Sequence, residues 1–291
     1  MKVAFVVLHY ENVEDTKNCI TTILNLKEAN VEYKIYLLDN ASPNQSGKLL
    51  EKMYQSNKKI EVIKLPENYG FSKANNIGYL KAKEWQANVV AVLNNDILIE
   101  DTKFLAKLKK IYMKEKEHLA VVAPDIINAQ GHHQNPLREN AMTLKGAYKN
   151  LIYNRCLLIA FKIPVLNKFL YQIDKKRSEK WFDNYYRSQK VEYREDIVPH
   201  GAFVIYFPKW IQEENQAFPC HTFMYLEEDF LKSYCDKKNY LIKYIPELKV
   251  KHLEGRSVAN INRKEFLSYQ FKLQRVTKSL KLYIRSLKES R

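Results

Sequence analysis

The sequence predicts a mostly parallel α/β sheet covered by helices on both faces. Short, nearly continuous aliphatic runs of strand length alternate with stretches of helical spacing through the first 124 residues. These runs lack the alternation of a half-solvated sheet, so both of their faces should be buried. Polar residues gather where the runs stop, and in open parallel sheets the strand C-termini are where ligands collect.

The elements follow in order. "KVAFVVLHY" (2–10) reads as the first strand, and 13–27 as a helix with Val13, Cys19, Ile20, Ile23 and Leu24 on one face. "EYKIYLLDN" (32–40) is the second strand, and 46–56 a helix opened by Ser46, a good N-cap residue. "IEVIKL" (60–65) is the third strand, followed by a turn and a helix over 72–85. "VVAVLNNDILIE" (89–100) starts as the fourth strand and breaks at Asn94-Asn95-Asp96. A helix at 102–117 and the strand "LAVVAP" (119–124) complete a βαβ series of the parallel type.

The second half is patterned differently. Residues 125–144 read as irregular, and 145–190 as a helix-prone insertion rich in aromatic and basic residues. "HGAFVIYFPK" (200–209) is a strand, 225–240 a helix, and 241–255 one or two strands ending near His252. In the last segment Phe266, Leu273, Leu280 and Leu287 fall seven apart, with Tyr269, Val276 and Tyr283 between them. Such a stripe packs on its own protein, lies on an anionic membrane, or forms a dimer seam. The divisions expected are 1–135, a basic helical insertion at 136–195, 196–260, and an amphipathic C-terminal helix at 261–291.

The 291 residues can bury a sizeable core. The net charge of +15 is concentrated: residues 145–190 carry +8, 264–291 carry +6, and the rest is nearly neutral. Two basic segments on a neutral body suggest docking to something anionic, either nucleic acid or a membrane face. No RNP-type stretch or zinc pair supports nucleic acid. The four cysteines form no CxxC pair, and Met1-Lys2 leads straight into a strand, so a reduced cytoplasmic protein is expected. No run reaches the ~20 apolar residues of a membrane span.

Asn94-Asn95-Asp96 places a carboxylate and two amide oxygens at a strand end, a ligand type suited to Mg²⁺ or Mn²⁺, although Asn and Asp also form ordinary turns. Asp39 ends the second strand in "LLDNAS" (37–42), and "ENYGFSKANNIG" (67–78) joins a glycine turn to a polar helix start. "HGAF" (200–203) opens a strand, "FMYLEED" (223–229) starts a helix with three acids, and "VKHLEGRSV" (250–258) holds His252. His132-His133 reads as a loop tip rather than a metal site, and His200 opens the "HGAF" segment.

In this order the segments resemble the family 2 inverting glycosyltransferases of the GT-A fold. The rhamnosyltransferase-like branch of bacterial surface polysaccharide synthesis is the nearest likeness. The resemblance runs from residue 3 to about 258, leaving 145–190 outside it. It implies a Rossmann-like sheet, with the donor nucleotide held in 1–135 and the acceptor and base in 196–260. His9 and Tyr10 would border the nucleotide, and Asp39 would contact the base. Asn68, Gly70, Phe71 and Asn76 would line the nucleotide-sugar pocket. Asp96 would hold the divalent cation, with His252 helping. Asn94, where many relatives carry Asp, and Asn95 would stand beside it, lining the site or only forming the turn.

The family pattern Y-x-E-[ED] makes Glu228 the general base, with Asp229 as rival. Two residues that often follow in the family, an Asp and an Arg, are replaced by Phe230 and Tyr234. The implied reaction moves a sugar from dTDP-rhamnose or a UDP-hexose to a glycan or lipid-linked saccharide. The implied setting is the cytoplasmic face of the plasma membrane, with a homodimer possible. A non-enzymatic nucleic-acid-binding protein is the main alternative. A nucleotidyltransferase is disfavoured, because no glycine-rich phosphate loop lies near residue 10.

Overall fold

The computed structural model describes residues 1–187, 190–253 and 262–289. Its first part is a regular βα series: β1 (Lys2–His9), α1 (Val13–Leu24), β2 (Glu32–Asp39), α2 (Ser46–Tyr54), β3 (Ile60–Lys64), α3 (Gly70–Glu84) and β4 (Val89–Asn94). Then come β5 (Ile97–Leu98), α4 (Phe104–Glu115), β6 (Leu119–Asn128), α5 (Leu144–Ala160) and α6 (Pro164–Arg187). The chain continues through β7 (Arg194–Glu195), β8 (Phe203–Tyr206), α7 (Pro208–Glu213), α8 (Glu227–Lys238), β9 (Leu241–His252) and α9 (Asn262–Glu289).

Among the described residues the strands form one sheet in the order β3-β2-β1-β4-β8-β6-β9-β5, with β7 also on β9. The β3-β2-β1-β4 half is parallel, as is the β6–β9 pair. β8 runs antiparallel to both β4 and β6, and β5 and β7 antiparallel to β9. A strand buried on both faces shows the same apolar run in either direction, so the sequence pattern did not report these reversals. β6 also extends to Asn128, into the stretch expected to be irregular.

Helices cover both faces. On one side Val6, Leu38, Val92 and Tyr206 pack with α3, where Gly78 allows contact so close that a Cβ would sit 2.4 Å from Val6 Cγ1. On the other, Phe5, Ile20, Leu37 and Phe104 form a second buried layer beneath α1 and α4. Truncating a fully buried aromatic such as Phe104 to Ala should cost about 3–5 kcal/mol.

The C-terminal stripe is consumed within the protein. Leu273, Leu280, Tyr283 and Ile284 are buried, and α9 lies along α5. Tyr283 Oη donates to the Met142 carbonyl at 3.0 Å, and Phe266 and Leu273 pack on Phe161 at the end of α5. Of the three readings of this stripe, packing on the protein itself is the one seen, with Tyr283 also edge-on to Phe230 of α8, while Leu267, Phe271 and Leu282 of α9 stay exposed. Among the described residues no helix is long and apolar enough to cross a membrane.

Register then sets the site. His9 pairs with Asp39, and Leu8 with Asn94, so β1, β2 and β4 end level. Ile97 pairs with His252, and the Leu253 N–H donates to the Asp96 carbonyl at 3.0 Å, which brings the fourth-strand break beside the end of β9.

Candidate active site

The β1 and β2 ends form a hydroxyl-lined corner. His9, expected to border a nucleotide, is fully buried, with Nδ1 2.6 Å from Thr16 Oγ1 and Nε2 2.8 Å from Ser46 Oγ. Burial lowers its pKa against the pull of Asp39, keeping the ring neutral as a bolt between α1 and α2. Tyr10 beside it is 43% exposed. Asp39 is nearly buried and accepts from the Ser42 N–H at 3.2 Å. Gly47, in the first turn of α2, makes room for that carboxylate: a Cβ there would lie 1.9 Å from Asp39 Oδ2.

Asn40, one residue on, ties the glycine turn down. Its amide donates to Asn68 Oδ1 and to the Gly70 carbonyl, both at 3.1 Å, and its Oδ1 accepts from the Tyr69 N–H at 2.9 Å. Asn68 also accepts from the Gly70 N–H at 2.9 Å. Gly70 has φ of 75°, and a Cβ there would meet the Phe223 carbonyl oxygen at 2.2 Å. That oxygen accepts from the Phe71 N–H at 2.6 Å, so the segment before α8 lies directly on this turn. Asn76 extends the junction, donating to the Phe218 carbonyl at 3.0 Å and accepting from its N–H at 2.9 Å. Its neighbour Asn75 is buried with neither amide atom hydrogen-bonded among the described residues, a cost that a polar ligand would remove.

At the fourth-strand break the three polar residues divide. The Asn94 N–H donates to the Ala202 carbonyl at 2.9 Å. Asn95 turns towards α1, donating to Thr16 Oγ1 at 2.9 Å and the Asn12 carbonyl at 3.3 Å. Asp96 faces the sheet end, its Oδ1 3.3 Å from His252 Nε2, within ion-pair range but without hydrogen-bond geometry. His252 Nδ1 lies 2.8 Å from Gln134 Oε1. The amide oxygen accepts from Nδ1, so Nε2 is the nitrogen that faces Asp96. Among the described residues no group of three His, Cys, Asp or Glu side chains could hold a metal. A buried carboxylate oxygen without a hydrogen bond beside an imidazole nitrogen does fit a divalent cation that takes its other ligands from phosphate and water.

The three acids of α8 have separate environments. Glu227 is 3% exposed and accepts from Thr222 Oγ1 at 3.0 Å and Ser72 Oγ at 3.3 Å. Burial, with the charge of Glu228 adding to it, pushes its pKa up to about 8. Asp229, expected as the rival base, is fully buried; Oδ2 pairs with Arg138 Nη2 at 2.5 Å and Oδ1 accepts from the Met142 N–H at 2.7 Å. Glu228 is partly exposed, and Oε1 accepts from the Gly201 N–H at 3.3 Å. Burial raises its pKa, with backbone donors and Arg138 opposing and Asp229 reinforcing the rise. Tyr225 (φ 73°) and Leu226 (φ 71°) precede the helix in the left-handed region, an arrangement costing about 1–2 kcal/mol per residue.

The irregular stretch after β6 supplies partners that the sequence left unassigned. Gln134 holds His252, Asn135 Oδ1 accepts from the His200 N–H at 2.7 Å, and Arg138 holds Asp229. His200 Nδ1 accepts from the Ala202 N–H at 3.1 Å, its ring 5.8 Å from that of His252. Burial lowers its pKa to about 3, the neighbouring His252 adding to the effect. His133 Nδ1 bonds Asp125 Oδ1 at 2.7 Å, so the loop-tip histidine is a sheet-end anchor. The one signal for Arg138 was the family's absent arginine after the acids, which left Asp229 in need of a partner. The end of the "VKHLEGRSV" motif, 254–258, lies outside the described residues.

Two solved structures resemble this chain. The crystal structure of residues 1–349 of S. aureus TarS superposes with a TM-score of 0.51 at 14% identity, covering 87% of this chain and 60% of that one. Its complex with UDP-GlcNAc gives the same TM-score and identity over 96% of this chain and 66% of that one. The chain thus spans less than two thirds of those structures, and the likeness concerns the fold. No curated protein matches the chain. Residues 4–213, from β1 to the end of α7, match the model of "Glycosyl transferase family 2", a span that stops short of Glu228 and His252. The matched segment is most of the chain and carries Asp39, the 68–71 turn and Asp96 on its strand ends, and the chain belongs to glycosyl transferase family 2.

Proposed function

We propose that the protein transfers a sugar, with inversion, from a nucleotide-diphosphate sugar to a hydroxyl of a glycan or lipid-linked saccharide, with Glu228 as general base. The observation that carries this is the contrast within α8. Asp229 has both oxygens engaged and Glu227 is buried on two hydroxyls, whereas Glu228 is partly exposed beside the Gly201 amide. A carboxylate with a raised pKa is a stronger proton acceptor for the attacking hydroxyl, provided it is ionised at the working pH. Attack opposite the leaving diphosphate inverts the anomeric centre.

Asp39 and Tyr10 would meet the nucleotide, with Asn40 and Asn68 fixing the turn that faces the sugar. Asp96 and His252 would hold a Mn²⁺ or Mg²⁺ ion, which when bound offsets the charge on the departing diphosphate. The UDP-GlcNAc complex of the similar TarS structure favours a UDP-sugar over dTDP-rhamnose as donor. For the acceptor we favour a cavity of about 320 Å³ lined mainly by Met142, Leu226, Leu273 and Leu280, with Asn154 and Lys272 as polar groups, a mix suited to a lipid-linked saccharide. It borders Leu226, two residues before Glu228.

Thermal-shift binding tests this reading. UDP-, dTDP- and GDP-sugars are compared, each with Mn²⁺, Mg²⁺ or chelator. A UDP-sugar should raise the midpoint most, and more with a divalent ion. Equal midpoints with every nucleotide sugar, with and without metal, would contradict it.

A further inference from the structure

We propose that the α5–α6 hairpin, rather than α9, seats the protein on an anionic membrane surface. α5 buries one side, α6 sets the partly buried Leu170 and Tyr171 beside Phe161, and both leave large apolar residues exposed. α5 turns Ala147, Leu151 and Leu157 inward. Facing outward near the bend are Ile152 (61% exposed), Ile159 (65%), Ile163 (47%), Leu166 (41%), Phe169 (62%) and Ile173 (48%). Ile152 and Ile159 are seven apart, and Leu166, Phe169 and Ile173 are three and four apart, so each helix contributes one stripe. Large exposed aliphatic groups concentrated at a hairpin bend mark an interaction surface rather than chance exposure.

The charge around this patch selects the partner. Residues 144–173 contain five Lys or Arg and no Asp or Glu. Lys145, Lys149, Arg155 and Lys162 are exposed around the stripe. A second copy of the chain would set this basic face against another basic face, and a closed two-fold contact would repel itself. Nucleic acid would use the cations but leave the isoleucines unsatisfied. An anionic bilayer uses both, with cations at the headgroups and aliphatic side chains at the acyl boundary. With no described helix able to span, the hairpin would lie on the surface.

The test is flotation of the full chain with vesicles of phosphatidylcholine alone or with about 30 mol% phosphatidylglycerol, at low and high salt. The protein should float with the anionic vesicles, and high salt should weaken this. The variant Ile163→Glu/Phe169→Glu should partition at least about tenfold less, with an unchanged thermal midpoint because both side chains are exposed. Phe271→Glu/Leu282→Glu, exposed positions on α9, should float like wild type. Cys156 is exposed while Cys19, Cys220 and Cys235 are buried, so a polarity-sensitive dye attached there should shift to the blue on adding anionic vesicles. Absence of flotation at low salt, or equal flotation of wild type and the hairpin variant, would overturn the proposal. So would a wild-type dimer that the hairpin variant converts to monomer, since the face would then be a self-contact. None of these outcomes depends on whether the protein binds a nucleotide sugar.

Discussion

Asp229 Oδ2 and Arg138 Nη2 lie 2.5 Å apart in an ion pair whose carboxylate is buried and whose guanidinium is partly exposed, with the other carboxylate oxygen taken by the Met142 N–H. Two consecutive acids on one helical turn thereby face opposite ways: Asp229 into the protein, Glu228 towards Gly201. Removing one partner of such a pair leaves a buried charge uncompensated, which costs about 3–5 kcal/mol. Arg138→Leu, which strands the buried carboxylate, should destabilise the protein by that order in urea unfolding, and Asp229→Asn, which leaves a partly exposed guanidinium, by less. The double variant should lose clearly less than the sum. Strict additivity would show that the two side chains are not coupled.

Gln134 should act as a positioning residue for metal binding. Its Oε1 accepts from His252 Nδ1 and so holds the ring with Nε2 facing Asp96. Losing a partner of a ligating histidine typically costs about 10–100-fold in metal affinity. Gln134→Leu should weaken Mn²⁺ binding in the presence of UDP by that factor, read by electron paramagnetic resonance of the free ion. Gln134→Glu, which keeps an acceptor, should retain it. Equal affinity in wild type and Gln134→Leu would remove Gln134 from the account.

Glu227 predicts a pH dependence of stability. Its folded pKa of about 8 stands above the ordinary 4.5, so the folded state holds a proton that the unfolded chain releases. The favourable contribution is complete below about 4.5 and is lost as pH rises through about 8. Glu227→Gln keeps a neutral group at all pH values. Its thermal midpoint relative to wild type should therefore be higher at pH 9 than at pH 5. A constant difference across that range would contradict the assignment.

The limits of the sequence are visible in particular residues. The parallel half of the sheet was legible because β1, β2, β3 and β4 are dry runs separated by amphipathic helices. Asp39, Gly70 and Asp96 were legible as polar or turn residues at strand ends. What those residues touch was not. His9 and Asn95 carry side chains suited to a ligand, yet their bonds go to hydroxyls on α1 and α2, contacts made across the sheet edge. Asn76 was singled out while Asn75 kept the unpaired amide, a difference decided by one residue of helical phase. Gln134, Asn135 and Arg138 sit in a segment without periodicity, and their partners are 65 to 118 residues away in sequence. The heptad stripe of α9 read as packing on the protein, as membrane contact or as a dimer seam. Only the position of α5 decides it.

Gly201 sets the position of the Glu228 carboxylate. A Cβ there would lie 2.6 Å from Glu228 Oε1, so Gly201→Ala must displace the carboxylate. A misplacement of about 1 Å in a reacting group costs on the order of 100-fold in rate. Donor turnover should fall by about that factor while UDP-sugar affinity, measured calorimetrically, stays within error. A parallel loss of affinity would place Gly201 in the donor pocket instead.

Glu228→Gln removes the proton acceptor while keeping the shape of the side chain. The rate of UDP release from the donor that binds best is compared between wild type and variant, with the donor dissociation constant measured on the same samples. Water is the acceptor in this assay, so no acceptor need be known. Loss of a general base should lower the rate by about 10²–10⁴-fold, with donor affinity and thermal midpoint close to wild type. The acid limb of the wild-type rate should also lie above the ordinary glutamate pKa, because activity requires ionised Glu228 and burial raises its pKa. A Glu228→Gln variant that turns over at the wild-type rate would contradict the assignment of the base.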